Sequence, residues 1–109
     1  MKQVSALYAR VSTSTQEEEA TIESQIAAIK TYIQEKEYDL PDDYFFLDQS
    51  VSGSYLERPA LDELRHLATE GAFSVLVCYS PDRLSRRYAH QWVIIDELEK
   101  QGVRVEFVN

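Results

Sequence analysis

The sequence predicts an α/β fold, a three-layer sandwich in which helices cover both faces of a mostly parallel central sheet. Short apolar runs of strand length alternate with longer segments whose apolar residues recur every three or four positions. The resulting order, βαβαβαβ, is typical of parallel strands joined by crossover helices. One run, residues 73–79, is apolar almost throughout, as expected for a strand covered on both faces. At 109 residues the chain has the length of a single domain.

The first strand and the first helix are predicted on either side of a polar loop. Residues 4–11 form the strand, and the acidic segment 13–20 forms the loop. A helix is expected from an N-cap at Thr21 to about Glu37. Its predicted buried stripe, with spacings of four, three and four residues, consists of Ile22, Ile26, Ile29 and Ile33.

The second strand is short and aromatic. It is predicted at 44–48, and the segment 49–55 after it has the composition of a loop. Pro59 suits the first turn of the next helix, and Gly71 suits its C-terminal cap. The predicted apolar stripe of this helix consists of Leu61, Leu64, Leu67 and Ala68.

The last helix and strand follow the apolar run 73–79. Ser85 is the predicted cap of a helix that ends at Gly102. The apolar residues assigned to this helix are Trp92, Ile95 and Leu98. Residues 103–107 alternate between apolar and charged side chains, which predicts a strand with one wetter face.

Composition narrows the class of protein. No run of about 18 apolar residues occurs, so no membrane-spanning helix is predicted. The amino terminus lacks the apolar core of a secretory signal. Because Cys78 is the only cysteine, an internal disulfide is excluded, and a reducing cytoplasm is the predicted location.

The charge distribution is more informative than the total charge. A net charge of −8 argues against strong nonspecific binding to nucleic acid. Three arginines nevertheless fall within five residues, at Arg83, Arg86 and Arg87, while the acidic residues are concentrated elsewhere. We therefore expect a local basic site on an acidic body.

Polar side chains follow three predicted strands, and in a parallel sheet those strand ends meet at one edge, where ligands bind. Arg10 and Ser12 lie two residues apart on an extended chain, so they are expected to share a face. The candidate site residues are Arg10, Ser12 and Gln16 after the first strand, Ser52 and Arg58 after the second, and Asp82, Arg83 and Arg86 after the third. This edge would present a hydroxyl group surrounded by guanidinium groups.

Such a set favours a phosphodiester substrate. Acyl transfer by serine usually needs a histidine base, and both histidines, His66 and His90, fall within predicted helices. Phosphoryl transfer instead depends on positioning and on stabilising negative charge, which arginine supplies through paired hydrogen bonds. The sequence contains no dense set of carboxylates, so no metal site is predicted. Taken one at a time, these residues also have plainer interpretations: the serine could belong to a turn, and the arginines could be solvated at the surface. These alternatives stay open.

Three motifs, in this order, resemble the catalytic domain of serine site-specific recombinases, which include resolvases, invertases and large serine integrases. They are YARVST at 8–13 with Gln16, then SG at 52–53 with Arg58, Pro59 and Leu61, then DRLSR at 82–86. Together they span nearly the whole chain. The loop at 48–53, the helix start at Arg58 and Pro59, and the segment 73–86 are most similar to the large serine recombinase branch.

The resemblance implies a role for each candidate residue. Ser12 would attack a DNA phosphodiester, giving a 5′-phosphoserine link and a free 3′-hydroxyl. Arg10, Arg83 and Arg86 would bind the scissile phosphate and stabilise its transition state. Gln16, Ser52 and Arg58 would support the phosphate or the serine loop. Asp82 would orient an arginine or help proton transfer, and the family needs no cofactor, neither a metal ion nor a nucleotide.

The resemblance also implies a larger protein. Residues 1–109 would be the catalytic domain, cut off before a long dimerisation helix and DNA-binding domains. The expected partners are double-stranded DNA attachment sites and further copies of the protein, as a homodimer that assembles into a synaptic tetramer. The isolated fragment is expected to be poorly active. The alternative function is a noncatalytic phosphate-binding or interaction module on the same fold.

Overall fold

The computed structural model describes residues 2–11, 21–49, 58–85 and 87–109. Four strands and four helices lie in these ranges, together with a 3₁₀ turn at Asp42–Tyr44. In chain order they are β1 (Ser5–Val11), α1 (Ile22–Lys36), β2 (Phe45–Gln49), α2 (Pro59–Thr69), β3 (Val75–Cys78), α3 (Pro81–Leu84), α4 (Tyr88–Lys100) and β4 (Arg104–Phe107). Candidate residues Ser12, Gln16, Ser52 and Arg86 lie outside the described ranges.

The four strands form one parallel sheet in the order β2-β1-β3-β4. The central strand β1 pairs with β2 at Arg10↔Asp48 and with β3 at Tyr8↔Cys78. Because every pairing is parallel, the carboxyl ends of all four strands lie at the same edge. The predicted fold class is confirmed.

The sheet separates two apolar clusters, one on each face. Ala6 and Tyr8 of β1 pack on the face that α2 and α4 cover, while Leu7 and Ala9 pack on the face that α1 covers. This alternation follows from the period of two along a strand. All seven residues of β1 are buried, as expected for the central strand of a sheet between two helical layers.

Helix α1 has the limits that the sequence predicts. The Thr21 side chain accepts a hydrogen bond from the backbone N–H of Ser24 at 3.1 Å, so Thr21 is the N-cap. The helix ends at Lys36, and Glu37 adopts a left-handed conformation with φ of 61°. Its N–H donates to the carbonyls of Ile33 and Gln34, which closes the helix.

The limits of α2 are also confirmed. Pro59 occupies its first turn, and Gly71 lies just past its end with φ of 73°, where it donates to the Ala68 carbonyl at 3.1 Å.

One expectation for the next helix is wrong. Pro81 starts a separate turn, α3, and α4 begins only at Tyr88, so Ser85 accepts from the Arg87 N–H at 3.2 Å without capping α4. Trp92 is 65% exposed, because the buried side of α4 is formed by Ile94 and Leu98. Among the described helices, none is long and apolar enough to cross a membrane.

Candidate active site

The described candidate residues meet at the carboxyl edge of the sheet, on the side that α2 and α4 cover. Arg10 lies near the end of β1, Arg58 directly before α2, and Asp82 and Arg83 in α3. Asp48, at the end of β2, joins them. Hydrogen bonds link Arg10 and Arg58 to the α3 turn, so three separate parts of the sequence contribute to one site.

Arg10 ties the central strand to α3. Its side chain is 1% exposed, its Nε donates to the Arg83 carbonyl at 3.1 Å, and its Nη2 donates to the Asp82 carbonyl at 2.8 Å. Arg83 returns the contact, since its Nη1 donates to the Arg10 carbonyl at 3.2 Å. Each arginine thus bonds the backbone of the other, which fixes the position of α3 against the end of β1.

Arg58 brings a third guanidinium to the same point. Its Nη2 donates to the Arg83 carbonyl at 2.9 Å, so Arg10 and Arg58 share that acceptor. Arg58 also donates to the Tyr8 hydroxyl, from Nε at 3.3 Å and from Nη2 at 3.1 Å. Three permanently charged guanidinium groups therefore lie around one turn, beside the two carboxylates of Asp48 and Asp82.

Tyr8 and Asp48, which are not among the site residues predicted from the sequence, hold Arg58 and α2 in place. The Tyr8 hydroxyl donates to Asp48 Oδ2 at 2.8 Å. Asp48 also accepts from the first N–H groups of α2, those of Ala60 at 2.9 Å and Leu61 at 3.1 Å. Its carboxylate therefore acts as a cap supplied by the neighbouring strand, favoured by the helix dipole.

Burial sets the protonation of Tyr8. Removal from water raises the pKa of its hydroxyl, and this outweighs the opposite effect of the Arg58 charge. The hydroxyl stays protonated, so it donates to Asp48 while it accepts from Arg58. Tyr8 could have been found from the sequence, because it lies two residues before Arg10 on the same predicted strand and therefore shares its face. Asp48 could not, because its position opposite Arg10 depends on the pairing of β1 with β2.

Asp82 is the most open member of the described site. Its side chain is 53% exposed, its Oδ2 lies 3.8 Å from Arg83 Nε, and its Oδ1 accepts a hydrogen bond from the Ser80 hydroxyl. The two histidines lie on the outer surfaces of α2 and α4. Burial raises the pKa of the Cys78 thiol, which keeps it protonated. In the part of the chain described, no group of three or more metal-binding side chains occurs.

The chain is similar to known proteins over almost its whole length. Residues 5–109 match the family model described as "Resolvase, N terminal domain", and the chain belongs to this family. It is 43% identical over 105 residues to a Bacillus subtilis (strain 168) protein named "Putative DNA recombinase", covering 95% of this chain and 20% of that protein. It is 36% identical over 102 residues to the transposon Tn3 resolvase of Escherichia coli, covering 94% of this chain and 48% of the resolvase.

A solved structure agrees with the architecture. The N-terminal catalytic domain of TP901-1 integrase superposes with a TM-score of 0.82 at 28% identity, covering 98% of this chain and 78% of that chain. The fold is therefore that of a serine recombinase catalytic domain. The chain spans about a fifth and about half of the length of the two curated relatives.

Proposed function

We propose that this domain cuts and rejoins DNA in site-specific recombination, with Ser12 as the nucleophile. One observation carries the proposal: the guanidinium groups of Arg10, Arg58 and Arg83 converge beside the end of β1, the strand that leads directly to Ser12. A phosphodiester is the substrate whose charge such a set complements. Membership of the resolvase family supports the same reaction class.

In the proposed reaction, Ser12 Oγ forms a bond to phosphorus while the bond from phosphorus to the 3′ oxygen breaks. The serine proton ends on that oxygen, so the products are a 5′-phosphoserine and a 3′-hydroxyl. Rejoining is the reverse reaction, and it needs no added energy source because one ester replaces another. Negative charge grows on the phosphate oxygens between these states, and fixed arginines stabilise it without reorganising.

The remaining candidate residues are proposed to assist this step. Arg10, Arg83 and Arg86 bind the scissile phosphate, and Arg58 supports it through its bonds at the α3 turn. Gln16 and Ser52 support the phosphate or the serine loop. Asp82 is proposed to orient Arg83, consistent with its position 3.8 Å from Arg83 Nε, or to help proton transfer.

The reaction is proposed to require more than this domain. A net charge of −8 gives the domain itself little attraction for DNA, so further segments would supply most phosphate contacts. We place the protein on double-stranded DNA attachment sites in the cytoplasm, as a homodimer that assembles into a synaptic tetramer. The domain alone would then be poorly active, whether the natural event is integration, excision or transposition.

The test is covalent trapping with the full-length protein. Ser12→Ala should abolish the protein–DNA adduct on a nicked attachment site, read as a shifted band in a denaturing gel that disappears on protease treatment. Ser74→Ala is a matched control, since Ser74 precedes β3 at the opposite edge of the sheet and should keep full adduct formation. An adduct formed by Ser12→Ala would overturn the assignment of the nucleophile.

The noncatalytic alternative makes a different prediction for the same variants. A phosphate-binding module would need its arginines and not Ser12, so Ser12→Ala would behave like the wild type in every assay. The two curated relatives carry the names of a recombinase and a resolvase, which gives the alternative no comparable support.

A further inference from the structure

We propose that Gln25 is a positioning residue for the active site, because its amide holds the backbone of Arg10 against the first turns of α1. The proposal rests on the proposed function, in which Arg10 binds the scissile phosphate. Gln25 is fully buried, and the other buried residues of α1 are all isoleucines. Burying an amide destabilises the fold unless its polar atoms are hydrogen-bonded. The partners of the Gln25 amide therefore indicate what the residue does.

The amide of Gln25 satisfies both backbone polar groups of one residue. The Arg10 N–H donates to Gln25 Oε1 at 3.3 Å, and Gln25 Nε2 donates to the Arg10 carbonyl at 3.1 Å. The register between β1 and β3 ends two residues earlier, at Tyr8↔Cys78. At Arg10 the side chain of Gln25 therefore provides the donor and acceptor pair that a strand would otherwise provide.

The same carbonyl joins this contact to the phosphate site. Arg83 Nη1 donates to the Arg10 carbonyl at 3.2 Å, so the amide of Gln25 and the guanidinium of Arg83 converge on one oxygen. A displacement of the Arg10 backbone would also displace its guanidinium, which bonds the α3 turn. Gln25 thus acts on the reaction through Arg10 and needs no contact with DNA.

The position of Gln25 in the sequence gives the contact a second consequence. Arg10 precedes the segment 12–20, which contains Ser12, and α1 follows that segment. A bond between Arg10 and α1 fixes the separation of the two chain ends that the segment must join. Holding reacting groups within a fraction of an ångström is a large part of catalysis by positioning.

The chemistry of the amide suggests a matched pair of variants. Of the side chains of this length, glutamine alone offers a neutral donor and acceptor together. Gln25→Met keeps the length and removes both hydrogen bonds. Gln34→Met makes the same change at an exposed position of α1 and is the control. Gln25→Glu keeps an acceptor for the Arg10 N–H and replaces the donor to the Arg10 carbonyl with a carboxylate oxygen.

The first measurement is hydrogen exchange in the full-length protein, read by mass spectrometry at a peptide covering residues 8–11. In Gln25→Met we expect exchange there to be about tenfold faster, the effect of one net buried hydrogen bond. Exchange in the β3 peptide should stay at the wild-type rate, and Gln34→Met should match the wild type throughout. This measurement involves no DNA, so it tests the contact even if the wild type forms no adduct and the proposed function fails.

The second measurement is single-turnover adduct formation on a nicked attachment site. In Gln25→Met we expect a rate about 100-fold lower with DNA affinity nearly unchanged, because the change misplaces a group and removes no DNA contact. Wild-type rate and wild-type exchange would overturn the proposal. So would equal losses of rate and affinity with faster exchange in every peptide, since these indicate general destabilisation. If Gln25→Met does not fold, Gln25→Glu decides in the same two assays, and wild-type values there overturn the proposal.

Discussion

Two polar clusters in this domain use the same side-chain types, but their surroundings give them different properties. The site cluster, at the carboxyl ends of β1 and β2, consists of Tyr8, Asp48 and Arg58. The β4 cluster, between α1 and the edge strand, consists of Tyr32, Tyr38, Arg104 and Glu106. Each contains a carboxylate, an arginine and at least one tyrosine hydroxyl.

In the β4 cluster the Glu106 carboxylate pairs directly with the Arg104 guanidinium. Glu106 accepts from Arg104 Nε at 2.6 Å, from the Tyr32 hydroxyl at 2.9 Å and from the Tyr38 hydroxyl at 3.0 Å. Burial opposes the ionisation of Glu106, but the hydrogen bonds from Arg104 and the two tyrosines outweigh it and hold the pKa of Glu106 below its ordinary value. The cluster is nearly neutral as a whole, and the Arg104 side chain is half-exposed.

In the site cluster the carboxylate is largely used by the backbone. Asp48 accepts from two N–H groups of α2 as well as from Tyr8, while Arg58 stands beside Arg10 and Arg83. Cationic side chains therefore outnumber the buried carboxylate at this edge. The balance of charge and the identity of the acceptors, more than residue type, therefore distinguish a cluster suited to an anion from one that only stabilises the fold.

Removing the site carboxylate should have the largest effect on stability. Asp48→Ala leaves the Tyr8 hydroxyl and two N–H groups of α2 without their acceptor. We expect a loss of about 3 kcal/mol in the free energy of unfolding, from one lost cap and at least one unsatisfied buried donor. Urea denaturation measures it. Asp62→Ala, in the exposed first turn of α2, is the control and should change stability by less than about 0.5 kcal/mol.

The two tyrosines should respond differently to loss of their hydroxyl groups. Tyr8→Phe removes a buried hydrogen bond to Asp48 and an acceptor for Arg58, so we expect a loss of about 2 kcal/mol. Tyr32→Phe removes one partly buried hydrogen bond to Glu106, but the Glu106 oxygens still accept from Tyr38 and Arg104. We therefore expect a loss of only about 0.5 kcal/mol in the free energy of unfolding. Equal losses in the two variants would contradict the contrast between the clusters.

Much of the fold follows from local signals in the sequence. The cap at Thr21, the proline at the start of α2 and the apolar periodicity define their elements because each acts within one or two turns. The separate α3 turn and the exposure of Trp92 did not follow. A helix of four residues has almost no periodic signal, and which stripe of α4 is buried depends on the angle at which α4 meets the sheet.

The site was predictable only in part for a related reason. Arg10, Arg58, Asp82 and Arg83 could be grouped because strand ends meet at one edge of a parallel sheet. The roles of Asp48 and Gln25 depend on contacts across 12 to 15 residues with other elements, which no local pattern encodes. The proposed roles of Ser12, Gln16, Ser52 and Arg86 stay predictions, since these residues lie outside the described ranges.

A smaller effect than those of Asp48→Ala and Tyr8→Phe is expected from the pH dependence of stability that the β4 cluster contributes. The pKa of Glu106 is lower in the folded chain than its ordinary value of 4.5, so folding favours the ionised form. Its contribution to stability is therefore complete above about pH 4.5 and is lost as the pH falls through the lower folded value. We expect wild type to exceed Glu106→Gln in unfolding free energy by about 1 kcal/mol at pH 7, with the difference shrinking below pH 4.5.

Urea denaturation of both proteins at several pH values between 7 and 3 measures this difference. A difference that stayed constant down to pH 3 would mean that Glu106 contributes through packing alone. Arg104→Gln removes the cation that pairs with Glu106 and should weaken the same pH dependence, while leaving the tyrosine bonds in place. If Arg104→Gln kept the full pH dependence, the tyrosine hydroxyls alone would stabilise the Glu106 carboxylate. The β4 cluster would then resemble the site cluster, in which, among the described residues, a tyrosine hydroxyl donates to the carboxylate and no arginine does so directly.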